Sequence, residues 1–270
     1  MKKLLLGNEA IARGAYEAGV RVSSAYPGTP STEINENVAT YPEIYSEWAP
    51  NEKVAVEVAL GAAVSGARSL ACMKHVGLNV AADPFFTATY TGVNAGMVVV
   101  VADDPGMHSS QNEQDTRMLA RASHAPVLDP SNSQECKDFL KLAYEISEKY
   151  DTPVILRVTT RIAHARTLVE LDERVEVPLR EYKRDIKKYV SMPANMIARH
   201  LYVEEREKKL AEDANTLPIN RIEWADRKIG VITSGAAYNY VKEAMPTASV
   251  LKLGLAYPMP RKLIEEFAAG

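Results

Sequence analysis

Four short stretches carry residue types able to do chemistry, and each follows an apolar run. YPGTPST (26–32) stops its run at Pro27 and sets Gly28 beside the hydroxyls of Thr29, Ser31 and Thr32. Glycine lets a ligand approach the backbone. Hydroxyls beside the free N–H groups of a first helical turn can seat a polar or anionic group. NEKVAVEVALG (51–61) places a carboxylate, Glu52, at the start of a helical pattern, where an acid also suits the helix dipole. Lys74 and His75 close the strand-like SLACMK (69–74), and histidine is the side chain most easily set to exchange a proton near neutral pH. ADDPGMHSSQNEQD (102–115) follows MVVVVA and offers His108, Ser109, Ser110 and Gln111. Each stretch also has a plain structural reading, as cap, turn or surface loop.

The elements that must position these residues alternate. LLL (4–6) leads into the helical pattern NEAIARGAYEAG (8–19), with Asn8 as its expected N-cap and Gly19 as its stop. VRVSSAY (20–26) reads as a strand, and TPSTEINENVAT as a helix capped by Thr29 with Pro30 at its first position. Residues 43–49 read as extended, 51–67 as a helix of small residues that packs closely, 69–74 as a strand and 80–92 as a helix. MVVVVAD (97–103) is a strand apolar on both faces. Further strands fall at 125–129 and 153–159, around a helix at 133–150. This rhythm predicts an α/β fold with a mostly parallel, doubly wound sheet over residues 1–165. Residues 166–220 are charged and broken. Their long segment 193–217 reads as a solvated connecting helix, with Glu204–Lys208 and Glu205–Lys209 at i,i+4. From 221 to 270 the strand–helix–strand rhythm restarts, as the beginning of a second α/β domain, which is expected to be incomplete.

Bulk properties exclude several classes. A formal charge of −3 gives no electrostatic case for nucleic acid. Cys72 and Cys136 are the only cysteines, too few for a zinc or iron–sulfur site. The opening MKKLLLGNEA is too short in its apolar run for a signal peptide, and no run can span a bilayer, so a cytoplasmic protein is expected. There is no G-x-G-x-x-G, no G-x-x-x-x-G-K-[ST] and no G-x-S-x-G.

Taken in order, YPGTPSTEI, EWAPNEKVAVEVALGAAVSGARS, CMKHVGLNVAADPF and VVVADDPGMHSSQNEQDTR resemble the 2-oxoacid:ferredoxin oxidoreductases, most nearly those acting on indolepyruvate. The resemblance extends through PANMIARH to GVITSG and VLKLGLAYPMP. It implies a thiamine-diphosphate enzyme, with residues 1–165 as the pyrimidine-binding domain and 221–270 as the start of a domain of transketolase C-terminal type. Glu52, nine residues before Gly61, would be the carboxylate that hydrogen-bonds the aminopyrimidine ring and helps it shift tautomer. Pro27, Gly28 and Thr29 would border the cofactor. Thr29, Lys74, His75, His108, Ser109, Ser110 and Gln111 would meet the substrate, with His75 also a candidate for proton transfer. Related pyruvate-specific enzymes carry a substrate-binding arginine around the position where this chain has Asp103 and Asp104, a departure that argues against pyruvate and leaves open what holds the substrate carboxylate.

The resemblance also defines what to expect elsewhere. This chain has no Gly-Asp dipeptide of the kind that opens the Mg²⁺–diphosphate motif, and no cysteine-rich segment. Mg²⁺ and [4Fe–4S] clusters are therefore expected in other domains and not on this chain. The implied partners are those domains, a smaller second subunit, coenzyme A and ferredoxin, around a dimeric core, and the chain alone would be inactive. Two alternatives stand: a non-catalytic assembly or regulatory subunit that keeps the fold, and a nucleotide-binding module with no thiamine role.

Overall fold

The strand Met97–Asp103 is buried along its whole length, and its side chains divide between two cores. Val98, Val100 and Ala102 join one hydrophobic cluster; Met97, Val99 and Val101 join another. A strand apolar on both faces needs helices on both, and the computed structural model, which describes residues 1–270, supplies them. In chain order the elements are β1 (Lys2–Leu6), α1 (Gly7–Glu17), β2 (Val22–Ala25), α2 (Thr32–Val38), β3 (Tyr45–Trp48), α3 (Glu52–Val64), β4 (Ser69–Lys74), α4 (His75–Val80), α5 (Ala82–Thr91) and β5 (Met97–Asp103). Then follow α6 (Thr116–Ala122), β6 (Val127–Leu128), α7 (Ser133–Tyr150), β7 (Val154–Thr159), α8 (Thr160–His164), β8 (Arg166–Glu170), α9 (Ile186–Tyr189) and α10 (Pro193–Asp213). The chain continues through β9 (Arg221–Glu223), β10 (Gly230–Ser234), α11 (Gly235–Ala244), β11 (Ser249–Leu253), β12 (Leu255–Tyr257) and α12 (Arg261–Ala269).

The main sheet has seven strands in the order β12-β6-β7-β5-β4-β2-β3, parallel throughout except for β12. Ile11 of α1, Val38 of α2 and Leu140 of α7 pack in one core; Val56 and Ala59 of α3, Phe85 of α5 and Ala120 of α6 pack in the other. Two helices start as their sequences dictate. Asn51 caps α3 by accepting the Val54 N–H at 3.0 Å, and Asn132 caps α7 by accepting that of Glu135 at 2.9 Å.

Several details depart from the sequence expectations. Asn8 does not cap α1. It lies inside the helix, fully buried, and donates to the Pro30 carbonyl at 2.8 Å. Helix α2 begins two residues later than expected, with Ser31 rather than Thr29 at its N-cap and Pro30 in the preceding turn. The helix expected over 80–92 is α5, Ala82–Thr91, and a separate short helix, α4, precedes it over His75–Val80. Strand β1 leaves the main sheet and pairs antiparallel with β8, because residues 166–170 return across the start of the chain. Cys72 and Cys136 are both buried and free, and burial pushes both thiols far above their ordinary range.

Residues 166–220 are strapped to the first sheet domain. One face of α10 packs on α5 and buries Val203, Arg206 and Leu210. Arg206 donates to the carbonyls of Thr89 (3.0 Å) and Asp151 (2.9 Å). The Asp151 carboxylate gathers Lys188 at 2.9 Å and Arg199 at 3.1 Å. Neither expected i,i+4 pair closes; Glu204 stands 3.6 Å from His200 instead. Exposed long side chains gain little by fixing one geometry, so the pattern did not dictate the pairing.

The C-terminal residues form a three-stranded sheet, β10-β11-β9, over a small core of Leu251, Leu253 and Phe267. It docks through polar contacts. Ser234 donates to Asp129 at 2.8 Å, Asn239 to the Ser131 carbonyl at 2.6 Å, and buried Lys252 to the Ser131 hydroxyl at 2.7 Å and to Glu135. Strand β12 then crosses back to edge the main sheet beside β6.

Candidate active site

Every stretch singled out for chemistry lies at the carboxyl end of a parallel strand, where an open α/β sheet places its ligands. β2 delivers Tyr26–Thr29, β3 leads into Glu52, β4 ends in Lys74, and β5 ends in the loop 104–115. Together they line one open cleft of about 680 Å³, whose walls include Pro27, Gly28, Thr29, Glu52, Lys74, His108, Ser109, Ser110 and Gln111. Tyr26, Val76 and Met107 complete it, and nothing in the local sequence marked those three.

The hydroxyl-rich turn uses most of its hydroxyls on itself. Ser31 donates to the Gly28 carbonyl at 2.7 Å, and the Thr32 hydroxyl accepts the Gly28 N–H at 2.9 Å. Thr29 is left exposed in the cleft, with no hydrogen bond inside the chain. A Cβ on Gly28 would lie 3.0 Å from Lys74 Cδ, so the glycine lets the lysine stem cross behind the turn.

Glu52 opens α3 and is 9% exposed, yet it makes no hydrogen bond or ion pair within the chain. Two neighbouring glutamates that could compete for the role are spoken for or turned away. Glu47 accepts from Ser24 (3.0 Å) and Tyr45 (2.9 Å), and Glu57 faces solvent. The Glu52 side chain is seated against Gly77, where a Cβ would fall 2.6 Å from Oε1. The signal for Gly77 was present: a glycine in the first turn of a helix, three residues from the cleft lysine, marks a close approach.

Lys74 and His75 hold the loop over the cleft. Lys74 Nζ donates to the Ser109 carbonyl at 2.7 Å, and His75 Nε2 meets the Asn112 carbonyl at 2.9 Å. His75 is 2% exposed and does not line the cleft, contrary to the expectation that it meets substrate. The first residue of α4 lies under the loop, and its Nε2 is spent on the backbone there, while its Nδ1 is buried without a partner. Inside the loop, Asp104 is the organiser. Burial alone would raise its pKa, but the Ser109 N–H (2.7 Å), the Ser110 hydroxyl (2.8 Å) and the Thr160 hydroxyl (3.0 Å) hold it at about 2. Asp103 is buried too. It accepts Arg157 Nε at 2.7 Å, and Arg157 reaches Asp129 at 3.2 Å. Neither aspartate lines the cleft, which holds no arginine.

An open cleft at strand ends, with one enclosed but unpartnered carboxylate, suits a cofactor that presents a nitrogen to that carboxylate. The family described as pyruvate flavodoxin/ferredoxin oxidoreductase, thiamine diphosphate-binding, matches residues 13–220, and the chain belongs to it. Among its relatives, the indolepyruvate oxidoreductase subunit IorA of Pyrococcus horikoshii is 48% identical over 284 residues, covering 100% of this chain and 44% of that protein. The subunit of the same name from Methanothermobacter marburgensis is 49% identical over 276 residues, covering 98% and 45%. The 2-oxoglutarate synthase subunit KorA of Methanothermobacter thermautotrophicus is 31% identical over 180 residues, covering 63% and 48%. The chain thus spans less than half the length of these relatives. In fold it matches a 2-oxoglutarate:ferredoxin oxidoreductase from Magnetococcus marinus, solved with 2-oxoglutarate, coenzyme A and succinyl-CoA bound. The TM-score is 0.82 and the identity 21%, over 99% of this chain and 56% of that one.

Proposed function

We propose that this chain supplies the carboxylate half of a thiamine-diphosphate site in an oxidoreductase that decarboxylates an aryl 2-oxoacid, indolepyruvate foremost. The products are an acyl-coenzyme A and electrons for ferredoxin. The observation that carries the reading is Glu52: enclosed at the strand ends, seated on Gly77, and without any partner in the chain. A carboxylate largely enclosed at the strand ends, left unpaired by its own chain and open only to the cleft, is free to pair with a donor that enters there. The ring nitrogen of an aminopyrimidine is such a partner.

When bound, the cofactor supplies the nucleophilic carbon and takes up the electron pair left by departing CO₂. The chain's own part is to hold and direct. Glu52 shares a proton with the ring nitrogen. Pro27 and Gly28 border the ring, and Thr29 offers a free hydroxyl toward the reacting groups. His108, Ser109, Ser110 and Gln111 present polar groups from the loop to the substrate, and Lys74 adds a positive charge at its base. With Asp103 and Asp104 buried and no arginine in the cleft, the site does not present the carboxylate clamp expected for pyruvate. His75 acts through the loop it holds.

The chain has no group of three or more His, Cys, Asp or Glu side chains placed to hold a metal ion. Mg²⁺ for the diphosphate and the [4Fe–4S] clusters belong, on this proposal, to further domains and to a smaller second subunit, assembled around a dimeric core. No helix is long and apolar enough to cross a membrane.

The test is anaerobic reduction of a viologen dye by the complete assembly with coenzyme A, comparing indolepyruvate with pyruvate, and wild type with Glu52→Gln. Indolepyruvate activity that falls by about 10² or more in the variant is the expected result, the scale of a positioned acid–base group. Equal activity in both would remove Glu52 from the cofactor. No activity in either, from an assembly shown to contain thiamine diphosphate, would favour a non-catalytic subunit.

A further inference from the structure

We propose that Lys74 holds the carboxylate of the 2-oxoacid, as a single charge set opposite an apolar wall that takes the aryl group. The proposal rests on the reading of the Glu52 cleft and names how that cleft recognises its substrate. Three lysines are buried in this chain, Lys74, Lys137 and Lys252, and two of them are matched with acids. Lys137 meets Asp172 at 2.9 Å, Glu17 at 3.1 Å and Asp138 at 3.3 Å, and Lys252 meets Glu135. Lys74, 8% exposed, is the exception. It pairs with no acid of the chain, and its Nζ donates only to the Ser109 carbonyl, at 2.7 Å.

One carbonyl uses one of the three donors of an ammonium group. Lys74 lines the cleft, so its unmatched charge is free to pair with an anion that enters there. Glu52 lines the same cleft and makes no ion pair with it. The two charges stand apart, one for a nitrogen of the cofactor and one for an acid group of the substrate. Lys74 is also held in place along its length. Its stem passes behind Gly28, where a Cβ would lie 3.0 Å from Cδ. Ser109, which receives the ammonium on its carbonyl, is fixed by its own N–H on Asp104 at 2.7 Å. A long side chain fixed in advance loses less freedom when a ligand arrives. Of the other side chains in the cleft, only His108 can carry a positive charge.

The cleft's apolar side comes from Tyr26, Val76 and Met107. Met107 is half exposed, at φ +56°, directly after Gly106 at φ +83°. A left-handed backbone is uncommon for methionine, and here it belongs to the turn that keeps the side chain at the cleft. A thioether is soft and packs well against an aromatic ring. An ammonium on one side, with methionine, valine and tyrosine on another, fits a ligand with an acid head and a ring. The choice of lysine matters for selectivity. An ammonium is a point charge and lacks the planar fork by which a guanidinium grips a carboxylate twice. A small 2-oxoacid would gain one charge contact here and nothing from the apolar wall, so discrimination falls to the ring.

The test uses indole-3-propionate and indole-3-propionamide, which share a skeleton and differ in charge. Both are titrated calorimetrically into the complete assembly loaded with thiamine diphosphate. The variants are Lys74→Gln, which keeps a donor for the Ser109 carbonyl without the charge, Lys74→Arg, which keeps the charge, and Met107→Ala. The wild type is expected to bind the acid about tenfold or more tighter than the amide, the scale of a hydrogen bond to a charged group. In Lys74→Gln the acid should fall to the level of the amide, whose own affinity stays unchanged, and Lys74→Arg should restore a preference for the acid. Met107→Ala should weaken both ligands alike, by severalfold. No preference in the wild type, or a preference that survives Lys74→Gln, would overturn the proposal. So would an equal loss of both ligands in Lys74→Gln, which would make the lysine a prop for the loop. A tenfold loss of thiamine diphosphate affinity in Lys74→Gln would overturn it as well, by giving the lysine to the cofactor. Affinities unmoved by Met107→Ala would overturn the aryl wall. The two readings fail separately: the acid–amide preference reports on Lys74, and the turnover of Glu52→Gln reports on the cofactor carboxylate.

Discussion

Glu17 and Glu52 are both enclosed glutamates on helices packed against the same sheet, and their surroundings are opposite. Glu17, at the end of α1, is fully buried. It accepts from Arg13 (2.8 Å), Lys137 (3.1 Å), Lys141 (3.2 Å) and the Asp172 N–H (2.8 Å). Glu52, at the start of α3, has no partner at all. The first carboxylate has the donors that a buried charge requires for the fold to hold. The second is enclosed without them, on the side of the sheet where ligands bind. A buried charge saturated by its own chain reads as architecture; one left open reads as a site.

Four changes would break or sharpen that contrast. The largest effect is expected at the saturated end. Glu17→Ala strips Lys137 and Lys141 of a buried counter-charge and should cost about 3 kcal/mol of stability, seen in urea unfolding. Asp172, which also holds both lysines, keeps the loss from being greater. Glu52→Gln should do the reverse, lowering turnover by about 10²-fold while unfolding stability stays equal or rises. If Glu52→Gln unfolded the protein as readily as Glu17→Ala, the contrast would collapse. Gly77→Ala, whose Cβ would lie 2.6 Å from Glu52 Oε1, should push the carboxylate aside and lower turnover by roughly tenfold, with little change in melting temperature.

The smallest effect concerns the loop. Asp104→Asn weakens the carboxylate's three hydrogen bonds and should cost about 1 kcal/mol, read as faster amide exchange over 105–112. The same bond set has a pH signature. The Asp104 pKa in the fold, about 2, lies below its ordinary 3.8. Its contribution is therefore complete above about pH 4 and fades as the pH falls through about 2. Amide exchange in the loop, corrected for intrinsic rates, should speed up over that window in the wild type and not in Asp104→Asn.

The cleft was largely legible in the sequence because its residues sit at strand ends, and strand ends follow from local pattern. Asn51 before Glu52, and the run MVVVVAD before Asp104, show where a helix starts and where a buried strand stops. Long-range pairing was not legible. Nothing local says that residues 166–170 return to pair with the first strand, or that 255–257 edge the main sheet. Nor does local pattern say which side chain spends itself on backbone. His75 looked like a cleft residue by its place after β4, and only the course of the loop, with the Asn112 carbonyl above it, assigns its ring. The charged helix α10 looked solvated because its buried face is narrow, Val203, Arg206 and Leu210, and local pattern does not say that Arg206 finds the carbonyls of Thr89 and Asp151.

Strand β12 has a consequence for how the chain is made. The edge it covers, β6, lies more than a hundred residues earlier. At ribosomal rates of roughly 5–20 residues per second, that edge emerges and waits on the order of ten seconds for its cover. An open strand edge invites pairing with another chain. Here the hazard is small by construction, because β6 offers only Val127 and Leu128, too short a template for a stranger to extend before β12 arrives.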